Sequence, residues 1–337
     1  MDERQSLYAL ILSEYQLTPI MIEEYGKVKK VTTSHGPFAL KETSLPSEQA
    51  DAFIYALRRL TKLGYKQFVP VYPTRRNEYI VRHREAAYYL MPWVEEYPYT
   101  ANESMEEKLA AQLGIIHRLS VETRPLSEDE RSERYDWLLN SWNIKHLELS
   151  RYADQVERNT YYSPFELTYL THAFETERMA EVAKQFLNQW IERCQEKGTF
   201  RTVLCHCRLK RSHARFSYEN EPYLLNFEQA CVDSPARDLA LFFRYNIPRA
   251  YWNFGEMMKW IERYERHLPL LEEEKYLLLA LLNFPEPVYR AVQMYETERE
   301  TMSEIEHVDR LERRLLALRN VRYLTEKLIA SSSEHPS

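Results

Sequence analysis

The sequence predicts an α+β protein of two unequal parts, and three observations carry that reading. The first ninety residues set β-favouring runs around one amphipathic helical stretch; from Ser104 the apolar spacing is helical nearly to the end; and residues 201 to 232 interrupt that second pattern with short β-like pieces among loops. With 337 residues, 44% of them apolar, the chain can bury a substantial core.

In the first part, VKKVTTS (28 to 34) and FALKET (38 to 43) read as two strands joined by a tight turn at His35-Gly36-Pro37. Ser47 to Leu63 follows with Ala50, Phe53, Ile54, Ala56, Leu57 and Leu60 at helical spacing, and Gly64 closes it as a C-cap. FVPVYP (68 to 73), EYIVRH (78 to 83) and AYYLMPWV (87 to 94) read as further strands. Pro92, Pro98 and Glu95-Glu96 break the pattern, so the expected boundaries are a sheet-and-helix lobe over 1–94, a helical lobe over 95–329 and a disordered polar tail, ASSSEHPS, over 330–337. In the helical lobe, Met105, Leu109, Leu113, Ile116 and Leu119 mark one helix, and Ile305 to Leu328 mark another. FRTVLCH and PYLLNFE supply the β-like pieces between them.

Composition excludes several function classes. A formal charge of −6 offers nothing to a nucleic acid backbone. No uncharged apolar run approaches the ~20 residues of a membrane span and no leader pattern opens the chain, so a soluble cytosolic protein is expected. Four cysteines, at 194, 205, 207 and 231, read as reduced thiols. The six glycines are scattered, which rules out a glycine-rich phosphate loop.

The chemistry-bearing stretch is TVLCHCRLKRSHARF at 202 to 216, followed by YLLNFEQA ending at Ala230. Leu204 to His213 stands where aminoglycoside- and choline-kinase-like enzymes carry the loop His-Gly-Asp-Leu-His-Pro-Gly-Asn. Leu224-Leu225-Asn226-Phe227-Glu228 stands where they carry a strand ending Ile-Asp-Phe-Glu, and Ser234-Pro235-Ala236-Arg237-Asp238-Leu239 where a helix begins. With Gly36 to Lys41, Tyr89 to Val94 and Leu113 to Arg118, these pieces resemble the CotS and YutH group of bacterial spore coat kinase-like proteins, with the YutH branch the nearer. The resemblance spans roughly residues 5 to 330. It implies a two-lobed, protein-kinase-like (aminoglycoside phosphotransferase-like) fold.

Phosphoryl transfer in such a fold needs a carboxylate to orient the attacking hydroxyl, and an Asn and an Asp to hold magnesium. By the resemblance those three slots hold Arg208, His213 and Asn226. Arginine is no base at neutral pH and repels a cation; histidine suits zinc better than Mg²⁺; asparagine is uncharged. Glu228 and Asp233 are the only neighbouring carboxylates in sequence that could replace the lost ones. A degenerate site with no catalytic residue is the expectation, with no cofactor; the alternative is a divergent ATP- and Mg²⁺-dependent small-molecule phosphotransferase, or a nucleotide- or metabolite-sensing module.

Other residues carry smaller expectations. Lys41 stands in the slot of the small-lobe lysine that touches nucleotide phosphates, with Glu48 as its possible partner. Arg208, Lys210, Arg211 and Arg215 concentrate positive charge in an acidic chain, as a solvated loop or as an anion or partner site. His206 reads as a structural histidine that braces the loop together with Arg237 and Asp238, with Asp238 a possible partner of its ring. The Cys205-His206-Cys207 tripeptide reads as packing rather than as a metal site, because on a strand the two thiols share a face and no second ligand pair follows. Twenty-five tyrosines, paired at 88 and 89 and at 161 and 162, suit packing, protein contacts or oxidative cross-linking. From the resemblance comes the expectation of other spore coat proteins as partners and of synthesis in the mother-cell cytoplasm followed by association with the coat.

Overall fold

The computed structural model describes residues 3 to 247 and 254 to 333. Two compact units emerge, one formed by residues 1–120 with 206–231, the other by 121–205 with 232–337.

The first unit is built on a five-stranded antiparallel sheet, β1 (Met21–Tyr25), β2 (Val28–Thr33), β3 (Gly36–Thr43), β4 (Val81–His83) and β5 (Ala86–Pro92), in the order β1-β2-β3-β5-β4. The expected β2–β3 hairpin is present, with Gly36 at φ +105° in its turn. Alternation sorts the side chains to two faces. On one face, Leu40, Tyr88, Leu90 and Val31 pack with Tyr8, Ile11 and Leu12 of α1 (Glu3–Ser13). The residues of opposite parity, Lys41 of β3 and Tyr89 of β5, are cross-strand partners on the other face. The Tyr89 ring there meets Phe53 of α2 (Ser47–Lys62), centroid to centroid 5.2 Å. That helix buries Ala50, Phe53, Ala56, Leu57 and Leu60 as its spacing predicts, and Gly64 takes φ +72° just beyond it.

Several expectations are corrected here. Residues 68–73 form no strand; they make two isolated bridges, Phe68 to Leu224 and Tyr72 to Leu90, because Pro70 and Pro73 remove ladder donors. α1 and β1 lie outside the single-helix reading of the first ninety residues. The contacts do not divide at residue 94. α3 (Met105–Ser120) and the 206–231 segment, with its hairpin of β8 (Ala214–Phe216) and β9 (Pro222–Leu224), join the sheet's unit, tied by Val69 N–H to Leu224 O and by Lys108 to Glu221.

The second unit is mainly helical: α4 (Glu128–Glu157), α5 (Pro164–Lys197), α6 (Pro235–Asn246), α7 (Phe254–Glu265), α8 (Glu272–Asn283), α9 (Glu286–Glu298) and α10 (Glu304–Ser333). A three-stranded sheet completes it, in the order β10 (Cys231–Asp233), β7 (Thr199–Cys205), β6 (Glu122–Pro125). α5 starts on a Ser163/Glu166 capping box and stops at Gly198 in the left-handed region, so its 34 residues are fixed by local sequence at both ends. α10 runs on through Ser333, so the expected tail is helical over 330–333; residues 334–337 lie outside the described residues.

Candidate functional site

In the sheet unit, Lys41 and Tyr89 both reach one carboxylate. Lys41 Nζ lies 2.9 Å from Glu228 Oε1, and the Tyr89 hydroxyl donates to that same oxygen over 2.9 Å. Lys41 Nζ also donates to Asn226 Oδ1. The Lys41 and Glu228 side chains are only 16% and 13% exposed. Burial lowers the lysine pKa from its ordinary value against the pull of Glu228, and the nearby Arg208 lowers it further. Tyr89, fully buried beside the carboxylate, is pushed well above its ordinary pKa by burial first and Glu228 second.

The chain of contacts continues from Asn226. Its amide Nδ2 donates to His213 Nε2 over 3.0 Å, and His213 Nδ1 donates to the Arg208 carbonyl over 2.8 Å. Lys41 fixes Oδ1 as an acceptor, so the amide must present N–H to the imidazole, and the imidazole must be the neutral Nδ1–H tautomer. Burial, and after it the fields of His206 and Lys210, push the His213 pKa down to about 3. His206 Nε2 donates to Leu225 O over 3.0 Å, while its Nδ1 accepts from the Arg208 backbone N–H. Two backbone groups, at 208 and 225, thus meet this one ring.

Local backbone departs from the expected strand at two places. β9 ends at Leu224, and Asn226 turns left-handed at φ +66° into a single helical turn over Phe227–Gln229. Asparagine tolerates that conformation better than most residues. β7 ends at Cys205, and Cys207 sits at φ +61°, where the resembled loop carries glycine. The picture of Cys205 and Cys207 sharing one strand face does not hold. Instead, Cys207 Sγ lies 2.9 Å from Cys231 Sγ.

These residues do not fit a magnesium ion. The one carbonyl oxygen of Asn226 accepts from Lys41, Glu228 Oε1 takes both Lys41 and Tyr89, and His213 turns a nitrogen toward an amide donor. A hard cation needs several oxygen ligands with negative charge, and an ammonium already holds the two on offer. Asp233, the second carboxylate considered from sequence, belongs to the helical unit, where it pairs with Arg134 and Arg237 and accepts from the Ser234 N–H. Glu48 is exposed in the first turn of α2, and the carboxylate of Lys41 is Glu228 instead. Arg208 and Arg211 are exposed and form no ion pair among the described residues; Lys210 and Arg215 are half-buried, Arg215 near Glu96. Asp238 is fully buried in α6 and Arg237 half-exposed beside Asp233.

Two residues of this neighbourhood escaped the sequence reading. Tyr89 carried the signal of a strand register opposite Lys41, which only pairing reveals. Cys231 was separated from Cys207 by 24 positions. Replacing Tyr89 with Phe is expected to cost about 1–3 kcal/mol, the usual worth of a hydrogen bond to a charged group. A lowered urea midpoint at unchanged slope is the readout.

The helical unit contains a cavity of about 570 Å³, lined by Trp137, Trp142, Trp190, Arg134 and Arg244 among others. Of its four lining carboxylates, Glu130, Asp233 and Glu286 are engaged by Arg124 and Arg134, by Arg134 and Arg237, and by Lys145 and Arg290 respectively, and Glu133 is the fourth.

The five-stranded sheet with its helix α2, followed along the chain by a mainly helical part, defines a protein of the kinase-like phosphotransferase fold. The model of the phosphotransferase enzyme family matches residues 23–277, and the chain belongs to that family. Spore coat protein S of Bacillus subtilis (strain 168) is 25% identical over 275 residues, covering 77% of this chain and 74% of that protein. Among solved structures, an aminoglycoside phosphotransferase from Alicyclobacillus acidocaldarius superposes with a TM-score of 0.79 at 18% identity, covering 96% of both chains. Choline kinase from Streptococcus pneumoniae follows the same path with a TM-score of 0.52 at 16% identity, over 94% of this chain and 99% of that one. At these identities the structural likeness shows the fold.

Proposed function

We propose that the protein is a pseudokinase: a member of the phosphotransferase family that has kept the fold, lost the chemistry, and works by binding other proteins of the bacterial spore coat. The observation that carries the non-catalytic reading is the closed chain Glu228–Lys41–Asn226–His213–Arg208 carbonyl. Groups that would grip a nucleotide phosphate and its metal grip one another. Arg208 occupies the position of the catalytic carboxylate, and its fixed charge can neither accept a proton nor tolerate a divalent cation nearby. The coat association rests on the similarity to spore coat protein S, and the exposed Arg208 and Arg211 offer an anionic partner two bidentate donors. Synthesis in the mother-cell cytoplasm followed by deposition on the coat belongs to the same proposal.

A second reading, a metabolite-sensing module, is favoured by the tryptophan-lined cavity of the helical unit. Thermal unfolding with millimolar ATP, with and without Mg²⁺, separates the readings, because a ligand that binds only the folded state raises the midpoint. No shift in either condition is the expected result. A magnesium-dependent shift accompanied by ATP hydrolysis or phosphoryl transfer overturns the pseudokinase reading, and a magnesium-independent shift without turnover moves the case to the sensor.

A further inference from the structure

The four cysteines differ in burial. Cys194 and Cys205 are fully buried, and burial pushes the Cys194 thiol up to about 12, which keeps it protonated and inert. Cys207 and Cys231 are partly exposed, and their sulfurs are 2.9 Å apart. That separation is within about 1 Å of a disulfide bond length, so the two sulfurs are already at the approach that closure requires.

The two positions are also placed so that a bond between them has a consequence. Cys207 stands at φ +61° in the loop that carries Arg208, Lys210 and Arg211. A side chain in that backbone region is rare outside glycine and asparagine, and here it aims the thiol at its partner. Cys231 follows the turn that carries Asn226 and Glu228. A link between them ties the basic loop to the segment that holds Lys41, and it closes a covalent ring spanning 24 positions.

We propose that Cys207 and Cys231 are a thiol–disulfide exchange site, closed reversibly by low-molecular-weight organic disulfides, and that closure pins the basic loop. One thiolate of the pair attacks a sulfur of RSSR, forming a mixed disulfide and expelling RS⁻. The second thiolate attacks the protein sulfur of that mixed disulfide, forming the Cys207–Cys231 bond and expelling the second RS⁻. The two protons lost by the protein thiols end on the two RS⁻. The cysteine pair is oxidised by two electrons, and RSSR is reduced to two RSH. The proposal does not depend on whether the fold turns over nucleotide.

The test uses the full chain equilibrated in glutathione buffers from fully reduced to fully oxidised, then quenched with N-ethylmaleimide under denaturing conditions and read by mass spectrometry. Expected is a species carrying two fewer N-ethylmaleimide adducts than the reduced protein, 2 Da lighter again for the two hydrogens lost, with linked peptides containing Cys207 and Cys231. Closure of a ring of this size should raise the thermal midpoint by on the order of 5 °C. Trypsin nicking after Arg208, Lys210 and Arg211 should slow about tenfold in the oxidised form, as expected when local opening is suppressed. Cys231→Ser should abolish the bridge, the midpoint shift and the protection together, whereas Cys205→Ser should keep all three. Cys207→Gly, which suits the left-handed backbone, provides a folded bridge-less control where Cys207→Ser does not fold. Full alkylation of all four cysteines at the oxidising end, a persistent glutathione adduct, or a bridge that includes Cys205 overturns the proposal.

Discussion

Replacing Lys41 with Met is expected to destabilise the protein by about 3 kcal/mol, far more than the loss of one exposed lysine, because it strands a buried carboxylate. In the present structure Glu228 has Lys41 and the Tyr89 hydroxyl as its partners, and its side chain is only 13% exposed. Removing the ammonium leaves an anion that one hydroxyl cannot compensate, and it also leaves Asn226 Oδ1 without its donor. Lys41→Met combined with Glu228→Gln should recover much of the loss, since the second change removes the stranded charge. A double-mutant cycle in urea measures the coupling directly, and a value above about 1 kcal/mol is expected for groups in contact. In an enzyme that keeps this lysine for nucleotide phosphate, the same substitution acts on turnover and leaves stability nearly unchanged. A Lys41→Met variant as stable as the parent, with no coupling to Glu228, would therefore count against the closed chain and against the non-catalytic reading proposed from it.

Arg208, His213 and Asn226 are consistent with one another in a way that single substitutions conceal. An aspartate at 226 would present two acceptor oxygens, one to Lys41 and one to His213 Nε2, and a neutral Nδ1–H imidazole has no proton to give there. An amide resolves this, with its oxygen on the lysine and its nitrogen on the histidine. Arg208 then contributes only its backbone carbonyl to the chain, while its side chain is left exposed. Asn226 and His213 are thus two halves of one hydrogen-bonded arrangement, and changing one alone disturbs it.

Much of this was legible in the sequence, for identifiable reasons. The β2–β3 hairpin, α2 with its Gly64 stop, and α3 follow from local turn chemistry and apolar period, so they needed no tertiary information. The family spacing placed Arg208, His213 and Asn226 in one neighbourhood, and they are joined there. What escaped was set by pairing between distant segments. Glu228 rather than Glu48 meets Lys41 because β3 and β5 aim Lys41 and Tyr89 off the same face toward the turn after β9. The contact of Cys207 with Cys231 depends on a left-handed residue, which no propensity for cysteine would suggest. The run at 68–73 had a strand's composition, but its prolines allowed only isolated bridges.

Acid should weaken the protein through His213, and the sign follows from the direction of its shift. The imidazole is held at about 3 in the fold, against about 6.5 in an unfolded chain, so above pH 6.5 it is neutral in both states and contributes nothing. Below pH 6.5 the unfolded chain takes up a proton that the fold refuses, and stability falls steadily until about pH 3. By pH 4.5 the loss from this one group should reach about 2–3 kcal/mol. Carboxylates add their own acid dependence, so the informative quantity is the difference between the parent and His213→Gln, which keeps a polar side chain without a titration in this range. That difference should open between pH 6.5 and 4.5 and be flat from pH 7 to 9. Asn226→Asp should shrink it, because a carboxylate beside Nε2 favours the imidazolium and raises the folded pKa from its depressed value toward the unfolded one. Urea midpoints for the three proteins from pH 4.5 to 9 decide the matter, because identical pH profiles for parent and His213→Gln would mean that the imidazole is protonated as readily in the fold as outside it.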